Sequence, residues 1–307
     1  MTRERLVGVL AVGAAASIWG TLGYFAKLLY AEGVSFEALV AFRAVVGWVA
    51  VLMFLLLVKG AGGLRVARGD LVFLAPLGLV GIGAFYLLYF FTVRESAVGT
   101  ASILLYSSPA FVTLLAWAFL REPLGITRVL ALGLTFAGIG LVVGAYDPGA
   151  LEVTPFVLLT GLLSGLTYGL YSIFGKPVAG HLGPATILSY ALGFGAILLV
   201  AFALPTLGSL VGLPLWCYAL LLMLAVVHTT LAFALYTFGL RRLEAGRAAI
   251  VATVEPVVAG ALGVSLLGEE LTAFKVLGAL LVLSGTALAQ VGPQMQPASG
   301  KVTEPGR

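Results

Sequence analysis

The sequence carries little charge, a single cysteine and few histidines. Only 10% of its 307 residues are Asp, Glu, Lys or Arg, whereas about 25% is usual in a soluble domain. The one cysteine, Cys217, excludes an intramolecular disulfide framework and a cysteine metal cluster. The net charge of +4 is small and its carriers are scattered, so the sequence predicts no nucleic-acid-binding surface.

Patterns typical of catalysis are also missing. The sequence contains no GxSxG or HExxH motif and no pair of aspartates inside an apolar run. The stretch GLYSIFGKP (Gly169 to Pro177) has the outline of a phosphate loop, but five residues separate its glycines and a proline stands where Ser or Thr is required. We therefore predict neither an enzyme nor a cofactor or metal site.

Long apolar runs dominate what is present. Hydrophobic residues make up 61% of the chain, and the mean hydropathy is +1.12. About 20 apolar residues span a bilayer as a helix. The sequence predicts an all-α integral membrane protein with ten transmembrane helices. They lie at roughly 6–30, 36–58, 71–93, 97–120, 127–145, 154–177, 184–204, 214–240, 246–268 and 272–291. The polar tail, 292–307, is predicted to be disordered and cytoplasmic.

The basic residues predict an orientation in the lipid bilayer. If the N-terminus is cytoplasmic, thirteen of the seventeen Lys and Arg residues fall on the inner side, and only Lys27, Arg94 and Lys275 fall on the outer side. Cytoplasmic loops carry such an excess of positive charge. We expect a multi-pass protein of the cell inner membrane with both termini in the cytoplasm.

An internal repeat relates the two halves. Shifting the chain by 147 residues aligns GTASILLYSSPAFVTLLAWAFLREPL (99–124) with GRAAIVATVEPVVAGALGVSLLGEEL (246–271) without a gap, and Pro109 meets Pro256. A shift of 149 aligns WGTLGYFAK (19–27) with YGLYSIFGK (168–176). Each half holds five predicted spans, an odd number, so the halves enter the membrane from opposite sides. The prediction is two inverted five-helix repeats, 1–147 and 148–291, an architecture typical of secondary transporters.

These features resemble a known family. The stretch SPAFVTLLAWAFLREPLG (108–125), its partner EPVVAGALGVSLLGEELT (255–272) and the acidic residue closing each, Glu122 and Glu269, are similar to EamA-type drug/metabolite transporters. The aromatic-rich first half most resembles bacterial YddG-type exporters of neutral or aromatic amino acids. The resemblance implies export of a small-molecule substrate through a central cavity, by a monomer or homodimer. The alternatives are a multidrug or nucleotide-sugar carrier, or a channel.

Glu255 is the main candidate for a transport residue because it is the only carboxylate near the centre of a predicted span. A charge placed there costs about 2.5 to 3.5 kcal/mol on insertion scales. It either carries a proton, holds a substrate ammonium group, or makes a packing hydrogen bond to a neighbouring helix. Its counterpart Ser108 carries no charge, so the carboxylate belongs to the second half alone.

The matched prolines are candidate hinges or gates. Pro109 and Pro256 lack an amide hydrogen, so the carbonyls of Leu105 and Ala252 lose their helical donors. We expect Ser107, Ser108 or water to replace them. A plain packing kink is the alternative.

The remaining candidates are polar or aromatic residues inside spans. His228 either binds a substrate carboxylate, titrates near neutral pH, or bonds to a neighbouring helix. Aromatic side chains either line a substrate pocket or anchor the helix ends at the membrane surface. The predicted substrate-binding set adds Tyr86, Tyr89, Tyr106, Ser107, Ser108, Trp19 and Tyr171 to Glu255 and His228.

Two further features are assigned to structure. Arg43, near one end of the second span, is predicted to extend to the membrane surface or to pair with Glu32 or Glu37. The small-residue spacings in GLLSGLTYG (161–169) and GLVVG (140–144) predict close helix contacts.

Overall fold

The computed structural model describes residues 3–120, 125–146, 153–240, 242–243, 248 and 251–291, and within these ranges the side chains of residues 116, 118–120, 172, 176, 240, 290 and 291 are not described. All regular structure in the described residues is helical. The predictions made for Glu122 and for the tail 292–307 lie outside these residues.

Seven helical stretches are long and apolar enough to cross a membrane, and three apolar helices are shorter. We number them α1 to α10 in chain order. The seven are α1 (Arg3–Ala31), α2 (Phe36–Leu64), α3 (Arg68–Glu95), α4 (Val98–Leu115), α6 (Pro155–Ala179), α7 (Pro184–Leu210) and α8 (Leu215–Gly239). The three are α5 (Ile126–Val142), α9 (Val254–Leu267) and α10 (Ala273–Ala289). The predicted helical membrane architecture is confirmed, while crossing by all ten stays a prediction.

The helices that carry the matched prolines are both interrupted shortly before the proline. In α4, turns at Tyr106 and Ser107 separate the helix Val98–Leu105 from Ser108–Leu120. In the second half a turn at Thr253 precedes α9. Thr253 lies 147 residues after Tyr106, so both interruptions occupy the same position in the repeat. Loss of the proline amide explains both, since each helix lacks one hydrogen bond there.

A second pair of irregularities has the same spacing. Residues Leu79–Ala84 of α3 and Val226–Leu231 of α8 each form a π-helical turn, and the two turns are 147 residues apart. A π turn holds one more residue per turn than an α-helix and often marks a functional site. The repeat therefore extends to local backbone geometry.

Helix packing follows the repeat as well. The first helix of the second half, α6, packs against α3 and α4 of the first half, and α1 packs against α8 and α9. The pairs α2 with α7 and α5 with α10 join equivalent helices of the two halves. Exchanging the halves thus reproduces these contacts.

Glycines permit the closest of these approaches. A Cβ atom at Gly20 of α1 would lie 2.6 Å from the carbonyl oxygen of Glu255 in α9, and one at Gly169 of α6 would lie 3.3 Å from that of Ser108 in α4. Gly20 and Gly169 are counterparts in the repeat, as are Glu255 and Ser108. A Cβ atom at Gly140 would have no neighbour within 4 Å. The close helix contacts predicted from the glycine spacing are therefore confirmed for 161–169 in α6, but not at Gly140.

Polar contacts hold one end of the bundle together, where α1, α3, α4 and α9 meet. Glu269 accepts hydrogen bonds from the backbone amides of Val98 (2.6 Å) and Gly99 (3.4 Å) at the start of α4. The Lys27 Nζ atom donates to the carbonyl of Arg94 at 3.0 Å. A cavity of about 80 Å³ adjoins this end and is lined by residues including Gly99, Thr100, Pro256, Gly260 and Glu269.

Candidate functional site

Glu255 and Tyr106 form the link between α9 and α4. The Tyr106 hydroxyl donates to the carbonyl of Ala252 at 2.6 Å and lies 3.3 Å from Glu255 Oε2. Ala252 stands four residues before Pro256, so its carbonyl is the one that the proline leaves without a helical donor. A phenol from the first half therefore replaces the missing bond of the second half.

Ser107 and Ser108, which were predicted from the sequence as possible donors to the Ala252 carbonyl, do not occupy that position. Ser107 Oγ donates to the carbonyl of Leu104 at 2.6 Å, within its own helix. The serines lie against glycines of α6, where a Cβ atom at Gly165 would meet Ser107 Oγ and one at Gly169 would meet Ser108. The prediction was wrong for Ala252 because a short hydroxyl side chain reaches only local carbonyls, whereas the longer tyrosine reaches the next helix.

His228 lies in the π turn of α8 and connects that helix to α1. Its Nε2 is 2.7 Å from Thr21 Oγ1, and Thr21 Oγ1 is also 2.7 Å from the carbonyl oxygen of Ile18. Because a carbonyl can only accept, the threonine hydroxyl donates to Ile18, and we assign the proton to His228 Nε2. The Trp19 indole donates to the His228 carbonyl at 3.0 Å.

Arg43 contacts the same turn from α2, which corrects its predicted role. Its side chain is only 3% exposed. Nε donates to Thr229 Oγ1 at 3.1 Å, and Nη2 donates to the His228 carbonyl at 3.5 Å. The guanidinium carbon lies 4.6 Å from the centre of the Tyr86 ring. Arg43 neither extends to the surface nor pairs with Glu32 or Glu37, because α8 and α3 offer acceptors and rings in the interior.

Aromatic side chains from both halves fill the space between these polar groups. Phe85 contacts Tyr168 at a ring separation of 5.1 Å, and Trp19 contacts Phe233 at 5.2 Å and Tyr236 at 5.5 Å. We call the whole set the aromatic cluster. It comprises Trp19, Phe85, Tyr86, Tyr89, Tyr106, Tyr168, Tyr171, Phe233 and Tyr236.

Glu255 and Arg43 each contact a member of the aromatic cluster, Tyr106 and Tyr86 respectively. Glu255 interacts electrostatically with Tyr89, Tyr168 and Tyr236. Arg43 interacts with Tyr89 and with Glu255 itself. Tyr89 therefore lies within electrostatic range of both Glu255 and Arg43. Its hydroxyl lies 3.5 Å from Ser102 Oγ.

Most of the predicted residues are therefore close to one another. Glu255 and Tyr106 are in contact, as are Trp19 and His228, while Tyr86, Tyr89 and Tyr171 belong to the aromatic cluster. Sequence reasoning missed the roles of Arg43, Thr21 and Thr229. One signal was available for Arg43: it is a basic residue that lies eight positions into the predicted span 36–58.

Comparison with known proteins identifies the family. The model of the EamA-like transporter family matches residues 6–144 and again residues 155–290. The chain belongs to the EamA-like transporter family. Together the two matched segments cover most of the chain of this EamA-like transporter.

Several relatives of this EamA-like transporter are similar along most of their length. An uncharacterized transporter of Archaeoglobus fulgidus is 29% identical over 286 residues, covering 92% of this chain and 96% of the relative. The uncharacterized inner membrane transporter YicL of Salmonella typhimurium is 26% identical and covers 92% and 94%. The protein is a multi-pass membrane transporter, as these relatives indicate.

A solved crystal structure has the same fold. It is 18% identical to the EamA-like transporter, superposes with a TM-score of 0.64, and covers 93% of this chain and 97% of that one. At this identity the likeness establishes the fold alone.

Proposed function

We propose that this EamA-like transporter is a secondary exporter of small metabolites, chiefly neutral or aromatic amino acids of the kind carried by YddG-type exporters. It works by alternating access between two inverted repeats of five spans, with both termini in the cytoplasm. The matched positions of the π turns, helix breaks and cross-half contacts support this mechanism, because such halves can exchange conformations by rocking against each other.

The observation that carries the proposal is the aromatic cluster with Glu255 on one side. Tyr168 keeps 40% of its surface exposed, although its ring contacts Phe85 and it interacts with Glu255. Accessible surface among interior groups supports a wet cavity between the halves. Tyrosine rings and a carboxyl group suit an amphipathic solute that carries an ammonium group. The carboxyl group also remains a candidate proton carrier.

In this proposal the interrupted helices are the elements that move during transport. Pro109 and Pro256 act as hinges at equivalent positions, and the contacts around Glu269, Val98 and Lys27 close the outer end. In the exchanged state the equivalent contacts close the inner end, and the outer end opens.

The test is transport by purified protein in proteoliposomes across a panel of amino acids. We expect saturable counterflow for neutral and aromatic members of the panel. Counterflow with none of them would overturn the substrate assignment. Flux that neither saturates nor shows counterflow would indicate a channel instead. A nucleotide-sugar carrier requires several basic side chains facing the cavity to hold phosphate groups, and nucleotide sugars are the negative controls in this assay.

A further inference from the structure

Arg43 is a buried cation whose contacts in the described part of the chain are all neutral. Its guanidinium donates to a hydroxyl and to a backbone carbonyl, and it lies over the rings of Tyr86 and Phe90. No carboxylate oxygen of the described residues lies within 4.0 Å of it. Burying a charge without an opposite charge is strongly unfavourable, and such charges usually have a functional role.

Tyr86, the residue whose ring Arg43 covers, carries an unsatisfied hydroxyl. Among the described residues, Tyr86 Oη and Thr230 Oγ1 are buried without a hydrogen-bond partner. The guanidinium carbon of Arg43 lies 4.6 Å from the centre of the Tyr86 ring. Buried polar groups nearly always have partners. A buried cation without a carboxylate in direct contact, next to an unused hydroxyl, has the composition of a site that a ligand completes.

The unused groups indicate which chemistry fits. Arg43 and the Tyr86 hydroxyl are donors, and a carboxylate offers two acceptor oxygens that match them. Binding of a substrate carboxylate was one of three roles considered for His228 from the sequence. The Nε2 proton of His228 is given to Thr21, and in this proposal Arg43 binds the carboxylate instead.

Glu255 is the carboxylate next to the aromatic cluster, where its Oε2 lies 3.3 Å from the Tyr106 hydroxyl. It also interacts electrostatically with Arg43. A ligand that spans the two must carry an anionic group at the Arg43 end and a cationic group at the Glu255 end. An α-amino acid in its zwitterionic form does so, and its side chain would then lie among the aromatic rings.

We propose that Arg43 and the Tyr86 hydroxyl bind the carboxylate of the substrate, while Glu255 holds its ammonium group. The inference rests on the proposed export of amino acids and adds the residues that select them. It distinguishes amino acids from amines and amides with the same side chain, since these lack the carboxylate that neutralises Arg43.

The test compares three ligands that differ at one group: an aromatic amino acid, its primary amide and the corresponding amine. Each competes with labelled amino acid in counterflow by the wild-type protein and by Arg43→Gln, Arg43→Lys and Tyr86→Phe. We expect the wild type to prefer the amino acid over both analogues. Arg43→Gln removes a charged hydrogen-bond donor. It should weaken competition by the amino acid about 10-fold to 100-fold and leave competition by the amide nearly unchanged.

The other variants separate binding from folding. Arg43→Lys keeps the charge and should retain part of the preference. Tyr86→Phe keeps the ring beneath the guanidinium and should weaken amino-acid competition by about 3-fold to 10-fold, which keeps the test valid if Arg43→Gln does not fold. Arg242→Gln is the matched control, because Arg242 also lies over a ring, that of Phe238, but is exposed.

Two outcomes would contradict the inference in different ways. If Arg43→Gln or Tyr86→Phe weakened competition by the amino acid and by its amide equally, the role of Arg43 would be to hold α2 against α8. The proposal of amino-acid transport would then still stand. If the wild type transported no amino acid, the proposed function would fail and this inference with it.

Discussion

The Tyr106 hydroxyl donates to the Ala252 carbonyl, the group that Pro256 leaves without a helical partner. This bond joins the break in α4 to the break that precedes α9. The two proline-containing helices are therefore joined by a hydrogen bond at their breaks.

We expect Tyr106→Phe to destabilise the protein by about 1 to 3 kcal/mol, because it leaves a buried carbonyl unsatisfied. Pro256→Ala restores an amide donor, so Tyr106→Phe should cost less in that background. Thermal unfolding of the four proteins in the cycle measures the difference. The control is Tyr218→Phe, whose hydroxyl donates to the Leu210 carbonyl at an exposed site. Equal costs in both backgrounds would show that the tyrosine does not replace the proline's missing donor.

Glu255→Gln tests the carboxyl group without removing the acceptor near Tyr106. We expect the melting temperature to change little and transport to fall by about tenfold or more, because a charge-assisted contact is lost. If Glu255 carries the coupled proton, the variant should also lose the dependence of transport on pH. Transport is measured at several pH values beside Glu32→Gln, which changes an exposed carboxylate. An unchanged pH profile would remove Glu255 from proton coupling.

A graded series of glycine substitutions tests the contact between α1 and α9. Gly20→Ala places a Cβ atom 2.6 Å from the Glu255 carbonyl oxygen and should cost about 1 to 3 kcal/mol by overpacking. Gly169→Ala should cost less, since Ser108 O would lie at 3.3 Å. Gly133→Ala, with no neighbour within 4 Å, should stabilise by up to about 1 kcal/mol. Melting temperatures in any other order would contradict the packing of the two halves.

Substitutions at Glu269 test the polar contacts at the end of the bundle where α1, α3, α4 and α9 meet. Glu269→Ala removes the acceptor for the first amides of α4, and we expect a loss of about 0.5 to 2 kcal/mol, as for other helix N-terminal caps. Glu269→Gln keeps an acceptor and should lose less. Hydrogen exchange of the Val98 and Gly99 amides should accelerate in the alanine variant. Glu270→Ala, at an exposed neighbouring position, should leave both amides protected, and equal acceleration in it would refute the specific role of Glu269.

Thiol labelling tests the cavity and its orientation together. The chain has one cysteine, Cys217, and it is fully buried, so the wild type should not react with a membrane-impermeant reagent. Tyr168→Cys in a Cys217→Ala background should react, because position 168 is 40% exposed. In the proposed orientation the closed end faces outward, so the reagent should act from the cytoplasmic side and substrate should slow it. Labelling only from outside would reverse the proposed topology.

Apolar periodicity and the repeat predicted much of the fold. The helical stretches lie on the predicted spans because about 20 apolar residues have few alternatives to a membrane helix. The alignment of Pro109 with Pro256 located both helix breaks, since loss of an amide is a local property.

Contacts between distant helices were the part that sequence reasoning could not supply. Arg43 bonds to the carbonyl of a residue 185 positions away, and nothing near it in the sequence indicates that acceptor. The chain around Arg43 suggested partners among nearby acids instead. Likewise, the reach of Tyr106 to Ala252 depends on how α4 lies against α9, which local pattern does not encode.

The π turns of α3 and α8 have a consequence for the direction of the aromatic side chains. Each turn contains one surplus residue, and one residue turns an α-helix by about 100°. Tyr86 and Tyr89 follow the first turn, and Phe233 and Tyr236 follow the second at equivalent positions. Removing one residue from either turn would swing these rings away from the opposite half while leaving a regular helix behind. The interior of this transporter is thus oriented by one extra residue in each half.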